Sequence, residues 1–338
     1  MKLMKLMCRR TLPVLLCAIC LSACVQTEKR TKEAVPEAQF TLTSEQTHNK
    51  FSASIPPALT VPSGAVIQVE TKEASDGQLA LDSSIDALKA LDFEPIHPLT
   101  GPVFVEGAQP GDVLAVSLLK IEAGEWGWAA IVPGFGFLAD EFTTPVLKTF
   151  KLESGARTIK FSDKISIPLN PFPGVMGVAP ATDSLLNTIP PRANGGNMDN
   201  PFHTVGTTIY FPVFVEGGLF SVGDTHAAQG LGEISGTAIE APMKITYKIE
   251  VIKNKKMAEP QYENKDYYAV TAYATTIDEA AKKASQYMIQ YLVENHGLSR
   301  EDAYILCSLA GNLHIAEVVD VPHVLVTMHI SKSVLGEQ

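Results

Sequence analysis

Between Asn194 and Pro242 the chain reads NGGNMDNPFHTVGTTIYFPVFVEGGLFSVGDTHAAQGLGEISGTAIEAP, and no other stretch restricts the fold as much. Asp199, His203, Glu216, Asp224, His226, Glu233 and Glu240 alternate there with glycines. Elsewhere acids and histidines are scattered. Here they sit among residues small enough to let backbone and ligand come close. The stretch reads as short strands and turns gathered around a polar centre.

The flanking chain has the same habit. Strand patterns are expected at Val66–Glu70, Val103–Val105, Val113–Leu119, Ala129–Val132, Pro145–Leu152, Thr158–Phe161, Thr207–Phe214 and Met243–Ile252. The loops between them carry GFGF, NPFPGVMG and PPRANGG, which is turn chemistry. Asp82–Leu91 alone has helical spacing, at Ile85, Leu88 and Leu91. The hexapeptide PVFVEG occurs twice, at Pro102–Gly107 and Pro212–Gly217. Gly111-Asp112 and Gly223-Asp224 follow the two copies, so two related β-units are expected.

The last third changes character. Tyr267–Ala274 is a strand, and Thr276 with Glu279 opens a helix by a capping-box pattern. Gly297 suits its C-terminal cap. Ser299 with Asp302 opens a second helix that Gly311 ends, and Pro322–Ile330 closes as a strand. The expected fold is mainly β, of sandwich or barrel-like units, with an α+β C-terminal part. Residues 46–252 form the β-rich catalytic body, and 253–338 the region packed on it.

The N-terminus is a different matter. Lys2, Lys5, Arg9 and Arg10 precede a short apolar run, and Leu21-Ser22-Ala23-Cys24 has the form of a bacterial lipobox. The run is too short to span a bilayer, which takes roughly 20 residues. Residues 1–23 are therefore expected to be a lipoprotein signal, with Cys24 lipidated and residues 24–45 a polar tether, or in the alternative a tether that ends in an edge strand within Ala38–Thr43. That would place the protein at the bacterial cell envelope, held to a membrane by lipid. Intact-mass measurement would show the acyl mass on Cys24, and its absence would refute the anchor. Of five cysteines only Cys307 lies past Cys24, so no intramolecular disulfide framework is available. The net charge of -10 argues against nucleic acid as a partner. A homo-oligomer is compatible with this body and not demanded by it.

Asp224-Thr225-His226 is the sharpest local signal. In an extended strand residues i and i+2 face one side, so a carboxylate oxygen and an imidazole nitrogen would be presented together. Such a pair suits a divalent ion, zinc in particular. Asp199 and Glu240 can supply a third and fourth ligand, and Glu106 or Glu240 can move the proton. The plainer alternative is a hydrogen-bonded Asp-x-His pair with no ion. No Gly-x-Ser-x-Gly elbow occurs, though a serine or threonine near Ser235-Gly236-Thr237 is a further alternative. Cys307 is expected to be a buried structural thiol.

Longer motifs run through the chain in order: HPLTGPVFVEGAQPGDVL, NPFPGVMGVAP, IPPRANGGNMD, GTTIYFPVFVEGGLFSVGDTHAAQGLGEISGTAIE and SREDAYILCSLAGNLHIAEVVD. In these the chain resembles the acetamidase/formamidase family. The resemblance implies a mainly β hydrolase that cleaves carbon–nitrogen bonds of small linear amides, releases ammonia and binds metal. It carries over onto Asn197, Asp199, Asp224, His226, Gln229, Glu233 and Glu240. Asp199, Asp224 and His226 are taken as metal ligands and Glu240 as ligand or base. Glu106 is taken as a second base, with Asn197 and Gln229 orienting the substrate amide. The competing expectation is an envelope lipoprotein that kept the fold and lost turnover. The complete acid and histidine set argues against it.

Overall fold

The computed structural model describes residues 35–337. The signal sequence, Cys24 and the first half of the expected tether lie outside these residues. The remainder of that tether is not loose. Phe40–Leu42 is a strand, paired in parallel with Ala65–Glu70 at the edge of the largest sheet.

That sheet has nine strands. From Phe40–Leu42 and Ala65–Glu70 it continues through Met243–Ile252, Val113–Ala123, Thr208–Pro212, Gln261–Glu263, Tyr267–Ala274 and Val324–Ser331 to Gly311–Glu317. Past the first pair every neighbour is antiparallel. The second sheet has Gly195–Asn197, Phe172–Gly177, Phe220–His226, Leu99–Val105 and Thr47–His48 in order, with Leu59–Val61 also on Leu99–Val105. The inward faces of the two sheets share one core, which includes Ile67, Leu114, Val116 and Ile209 from the first and Val103, Val105, Met176 and Val222 from the second. Phe220 lies between them, with its ring centroid 5.5 Å from Phe211 and 5.4 Å from Tyr247. Burying such a ring contributes about 1.5–3 kcal/mol. The mainly β sandwich expected from the strand patterns is the fold observed.

The C-terminal strands extend the large sheet, and the two helices cover one face of that extension. The helix Ile277–His296 buries Ala280, Ala284, Met288, Ile289 and Leu292. These pack on Val270, Ala272, Val326 and Met328. Thr276 caps it by accepting from the Glu279 backbone N–H, and Gly297 closes it at φ 67°. Ser299 caps the helix Arg300–Ala310 in the same way, through Asp302. Cys307 is free and buried. The strand Gly311–Glu317 was not anticipated. Leu313 and Ile315 alternate with Asn312 and His314 along it, but at the edge of the sheet these two apolar side chains are exposed.

The PVFVEG copies end up in different sheets. Leu99–Val105 carries the first copy, while Thr208–Pro212 stops at the start of the second. The two meet where the Val105 N–H donates to the Gly217 carbonyl and the Gly217 N–H to that of Ala108. Glu106 and Glu216 lie together at that end of the sandwich, where Gln109 Nε2 donates to Glu216 Oε1.

Candidate active site

The strand Phe220–His226 is buried at every residue. It pairs on one side with Phe172–Gly177, with His226 opposite Phe172, and on the other with Leu99–Val105, with Gly223 opposite Leu99. Its C-terminal end therefore carries Asp224 and His226 into the middle of the second sheet. Asp224 is not extended, however. Its φ is 47°, in the left-handed region. Asp199, Glu233 and His97 share that rare backbone, with φ of 37°, 46° and 53°. Strain of this kind persists only where the surroundings fix it, and it gathers at functional sites.

Gly174 lies opposite Asp224, and a side chain there would collide with His226, Asp199 and the Asp224 carbonyl. Its own carbonyl accepts from the N–H groups of Met198 and Asp199. This brings the turn after Gly195–Asn197 against the strand Phe220–His226. Glu240 is fixed by backbone hydrogen bonds to Trp128 in both directions and by a bridge to His226.

Four side chains converge. His226 Nε2 lies 3.1 Å from Glu240 Oε2 and 3.5 Å from Asp224 Oδ2, and His226 Nδ1 lies 3.6 Å from Asp199 Oδ1. All are at most 4% exposed, so solvent does not screen them. The tautomer of His226 follows from Gln229. Gln229 Nε2 donates to the Asp199 carbonyl at 2.7 Å, which can only accept. Gln229 Oε1 therefore faces His226 Nδ1 at 2.8 Å and takes its proton. In the neutral ring the Nε2 lone pair then faces two carboxylate oxygens, and in the imidazolium Nε2 carries a proton toward them. Glu240 Oε1 accepts from the Ala238 N–H, whereas Glu240 Oε2, Asp199 Oδ1 and Asp224 Oδ1 are buried without a hydrogen-bond partner.

Lone pairs facing one another at 3.1 Å in a buried site require a cation or a proton between them. Two groups of ligand atoms fit an ion: Asp224, His226 and Glu240, and Asp199, His226 and Glu233. Metal–ligand bonds of about 2.0–2.1 Å place tetrahedral ligands about 3.3–3.4 Å apart. The spacings of 3.1 and 3.5 Å in the first group match this. The Gln229 hydrogen bond commits Nδ1 and so favours that group. A ligating imidazole usually donates its other N–H to a fixed acceptor.

Without an ion the site is starved of positive charge. Burial, against the lowering effect of His226, pushes Glu240 up to about 7. Burial and then Asp199 drive Glu233 well above the carboxylate range. Burial raises Asp199 as well. Asp224 goes the other way, because His97 and His226 outweigh its burial. Burial disfavours the charged form of His226, but Glu240 and Asp224 overcome it and hold the imidazolium well above its ordinary value.

Two acids from the C-terminal region join the cluster. Asp320 neighbours Asp199, and burial followed by the Asp199 charge raises it well above the usual range. Glu317, pushed by burial to about 8, accepts from the Val319 and Asp320 N–H groups. Gly232 ties the Glu233 loop to this segment through Ala316 and Val318. Neither acid was singled out from the sequence. The signal available was two acids in an otherwise apolar run, Glu317-Val318-Val319-Asp320. His97 also belongs here, with Nε2 3.9 Å from Asp224 Oδ2 and Nδ1 buried and unpartnered.

The structure brings together Asn197, Asp199, Asp224, His226 and Glu240, with Gln229 behind the imidazole. Asn197 lines the same cavity, and its Oδ1 is unpartnered. Both ends of the Gln229 amide are engaged with protein, so it positions His226 and does not face a substrate. Glu106 does not reach the site. Its strand runs antiparallel to Phe220–His226, so Leu99 is at the site and Glu106 lies past the opposite end, exposed. His203 is buried elsewhere, edge-on to Tyr262. The Thr237 hydroxyl is committed to Ala130 and the Ser235 hydroxyl to the Thr237 carbonyl, which leaves neither activated as a nucleophile.

Residues 35–187 and 184–336 match the acetamidase/formamidase family. The chain is 32% identical to the acetamidase of Mycolicibacterium smegmatis over 61% of its own length and 66% of that enzyme's, just under two thirds. It is 27% identical to the formamidase of Methylophilus methylotrophus, with 84% of this chain and 88% of that one covered. The crystal structure of the acetamidase from Bacillus halodurans superposes with a TM-score of 0.83 at 32% identity, over 88% of this chain and 98% of that one.

Proposed function

We propose, for a chain that belongs to the acetamidase/formamidase family and is an amidohydrolase, that it cleaves small linear amides to ammonia and a carboxylic acid at a divalent metal held by Asp224, His226 and Glu240. The observation that carries this reading is Glu240 Oε2, without a hydrogen-bond partner, 3.1 Å from Nε2 of a His226 whose Nδ1–H is committed to Gln229. One imidazole and two carboxylates make a donor set suited to zinc with a position left open, and we propose zinc as the ion. When bound, it supplies a water of lowered pKa and polarises the amide carbonyl.

The rest falls to the chain's own residues. Gln229 keeps the His226 proton on Nδ1, so that Nε2 is available. Asn197 presents an unpartnered amide to the cavity and orients the substrate's carboxamide. Glu233 lines the cavity, and burial and then Asp199 raise its carboxyl well above the usual range, so we assign it the delivery of a proton to the departing nitrogen. That role replaces the one expected of Glu106. Trp128 and the walls of the cavity limit access of bulk water. The inactive-lipoprotein alternative has little support, because a chain that no longer turned over substrate would gain nothing from burying unpaired acids.

The test is ammonia release by the purified, zinc-loaded protein from formamide and acetamide. Hydrolysis that a chelator abolishes and zinc restores is the expected outcome. Hydrolysis unchanged after exhaustive chelation would remove the metal from the mechanism, and no ammonia from either amide would overturn the substrate assignment.

A further inference from the structure

Above the acid cluster lies a cavity of about 100 Å³ whose two ends differ in kind. The polar end holds Asn197, Asp199, Asp224, Glu233, Glu240 and Asp320, with His97 beside Asp224. The other end is walled by Leu91, Phe93, Ile96, Val132, Phe135 and Ile189. Phe93 is 48% exposed, which puts it at the mouth. Three further wall residues carry polar atoms, and all three are committed within the protein. Trp128 Nε1 donates to Glu73 Oε2 at 2.7 Å, and Ser75 Oγ to Glu73 Oε1 at 2.7 Å. Thr237 Oγ1 accepts from the Ala130 N–H and donates to the Ala130 carbonyl. Glu73 itself is occupied by the N–H groups of Ser75 and Gly77.

We infer that this wall is an acyl pocket that selects amides with a plain alkyl substituent and rejects those whose substituent carries a hydroxyl or a charge. The inference rests on the amidohydrolase reading above and adds which part of the amide the cavity discriminates. A carboxamide has its hydrogen-bond partners at the polar end, so the acyl chain extends toward the wall. A hydroxyl placed there loses its water and finds no free donor or acceptor among the wall side chains, with the unpartnered Nδ1 of His97 the one such atom beside them. An alkyl group gains burial, and the small volume ends the gain after a few carbons. A charged substituent is disfavoured more strongly, because neither sign has a partner among the wall residues.

Propionamide and glycolamide have nearly the same shape and differ by a methyl against a hydroxyl, so they isolate this effect. With the zinc-loaded full-length protein, kcat/KM is expected to favour propionamide over glycolamide by about 10- to 100-fold. Propionamide should exceed acetamide by about fourfold for its extra methylene. Val132→Thr and Ile189→Thr each set a hydroxyl in the wall and should narrow the propionamide-to-glycolamide ratio by about threefold or more. A wild-type ratio near one overturns the pocket and leaves the amidohydrolase reading standing, as does a ratio that neither variant changes. Ammonia from none of the amides refutes that reading and the pocket with it.

Discussion

Replacing His226 with alanine is expected to lower kcat/KM on acetamide by about 1000-fold or more and to release the metal. The size follows from what the imidazole does. Lewis-acid stabilisation at such a centre is worth several kcal/mol of transition-state energy, and each 1.36 kcal/mol is tenfold in rate. His226 is the only imidazole in either group of candidate ligands, and both groups need it. Its loss also leaves Asp199 and Glu240 without the imidazole between them, and Asp224 with His97 alone. They can then stay buried only by taking up protons. The variant should therefore fold near neutral pH with its β-rich circular dichroism intact and hold less than a tenth of the wild-type metal. Activity within tenfold of wild type in a variant shown to be metal-free would contradict the assignment.

Gly174→Ala is the second large effect, and it tests geometry without touching any acid or histidine. The added Cβ would sit 2.8 Å from His226 Cε1 and 2.9 Å from the Asp224 carbonyl, with Asp199 Oδ1 closer still. None of these can give way cheaply. The imidazole is pinned by Gln229, the carbonyl is backbone of a central strand, and the Asp199 turn is bonded to the Gly174 carbonyl. Overpacking of this kind costs about 1–3 kcal/mol of stability. Misplacing a catalytic group by 1 Å can cost about 100-fold in rate. A fall in kcat of that order, with Tm lowered by several degrees, is the expected result. Gly230→Ala is the control, since nothing lies within 4 Å of its Cβ position, and it should change stability by no more than about 0.5 kcal/mol. Equal behaviour of the two variants would show that the close packing around Gly174 does not matter.

Much of the fold was written in local pattern. Met243–Ile252 and Tyr267–Ala274 stand where apolar runs and alternation put them, and the caps at Thr276, Gly297 and Ser299 act as their residue types require. Phe40–Leu42 was harder to see, because a three-residue edge strand buries one side chain well and otherwise looks like linker. Asp224 and His226 were legible as a pair, but the route differed. An extended Asp-x-His was expected, but Asp224 is in the left-handed region, facing Gly174 across a strand pair whose register does not shift. Gln229 was read as facing a substrate because sequence spacing cannot show that both ends of its amide are occupied. Glu106 shares a hexapeptide with the central stretch, but antiparallel pairing sent it to the far end of the sandwich. Asp320 and Glu317 reach the site only because the C-terminal strands continue the large sheet and bring Ala316 and Val318 against Gly232. Nothing local in the sequence encodes that contact.

Anomalous diffraction at the zinc edge from crystals of the zinc-loaded protein tests whether a metal sits between Asp224, His226 and Glu240. One strong peak is expected about 2.0–2.2 Å from His226 Nε2 and from one oxygen each of Asp224 and Glu240, with Gln229 still bonded to Nδ1. A peak coordinated by other residues, or fully active crystals with no anomalous signal at His226, would contradict it.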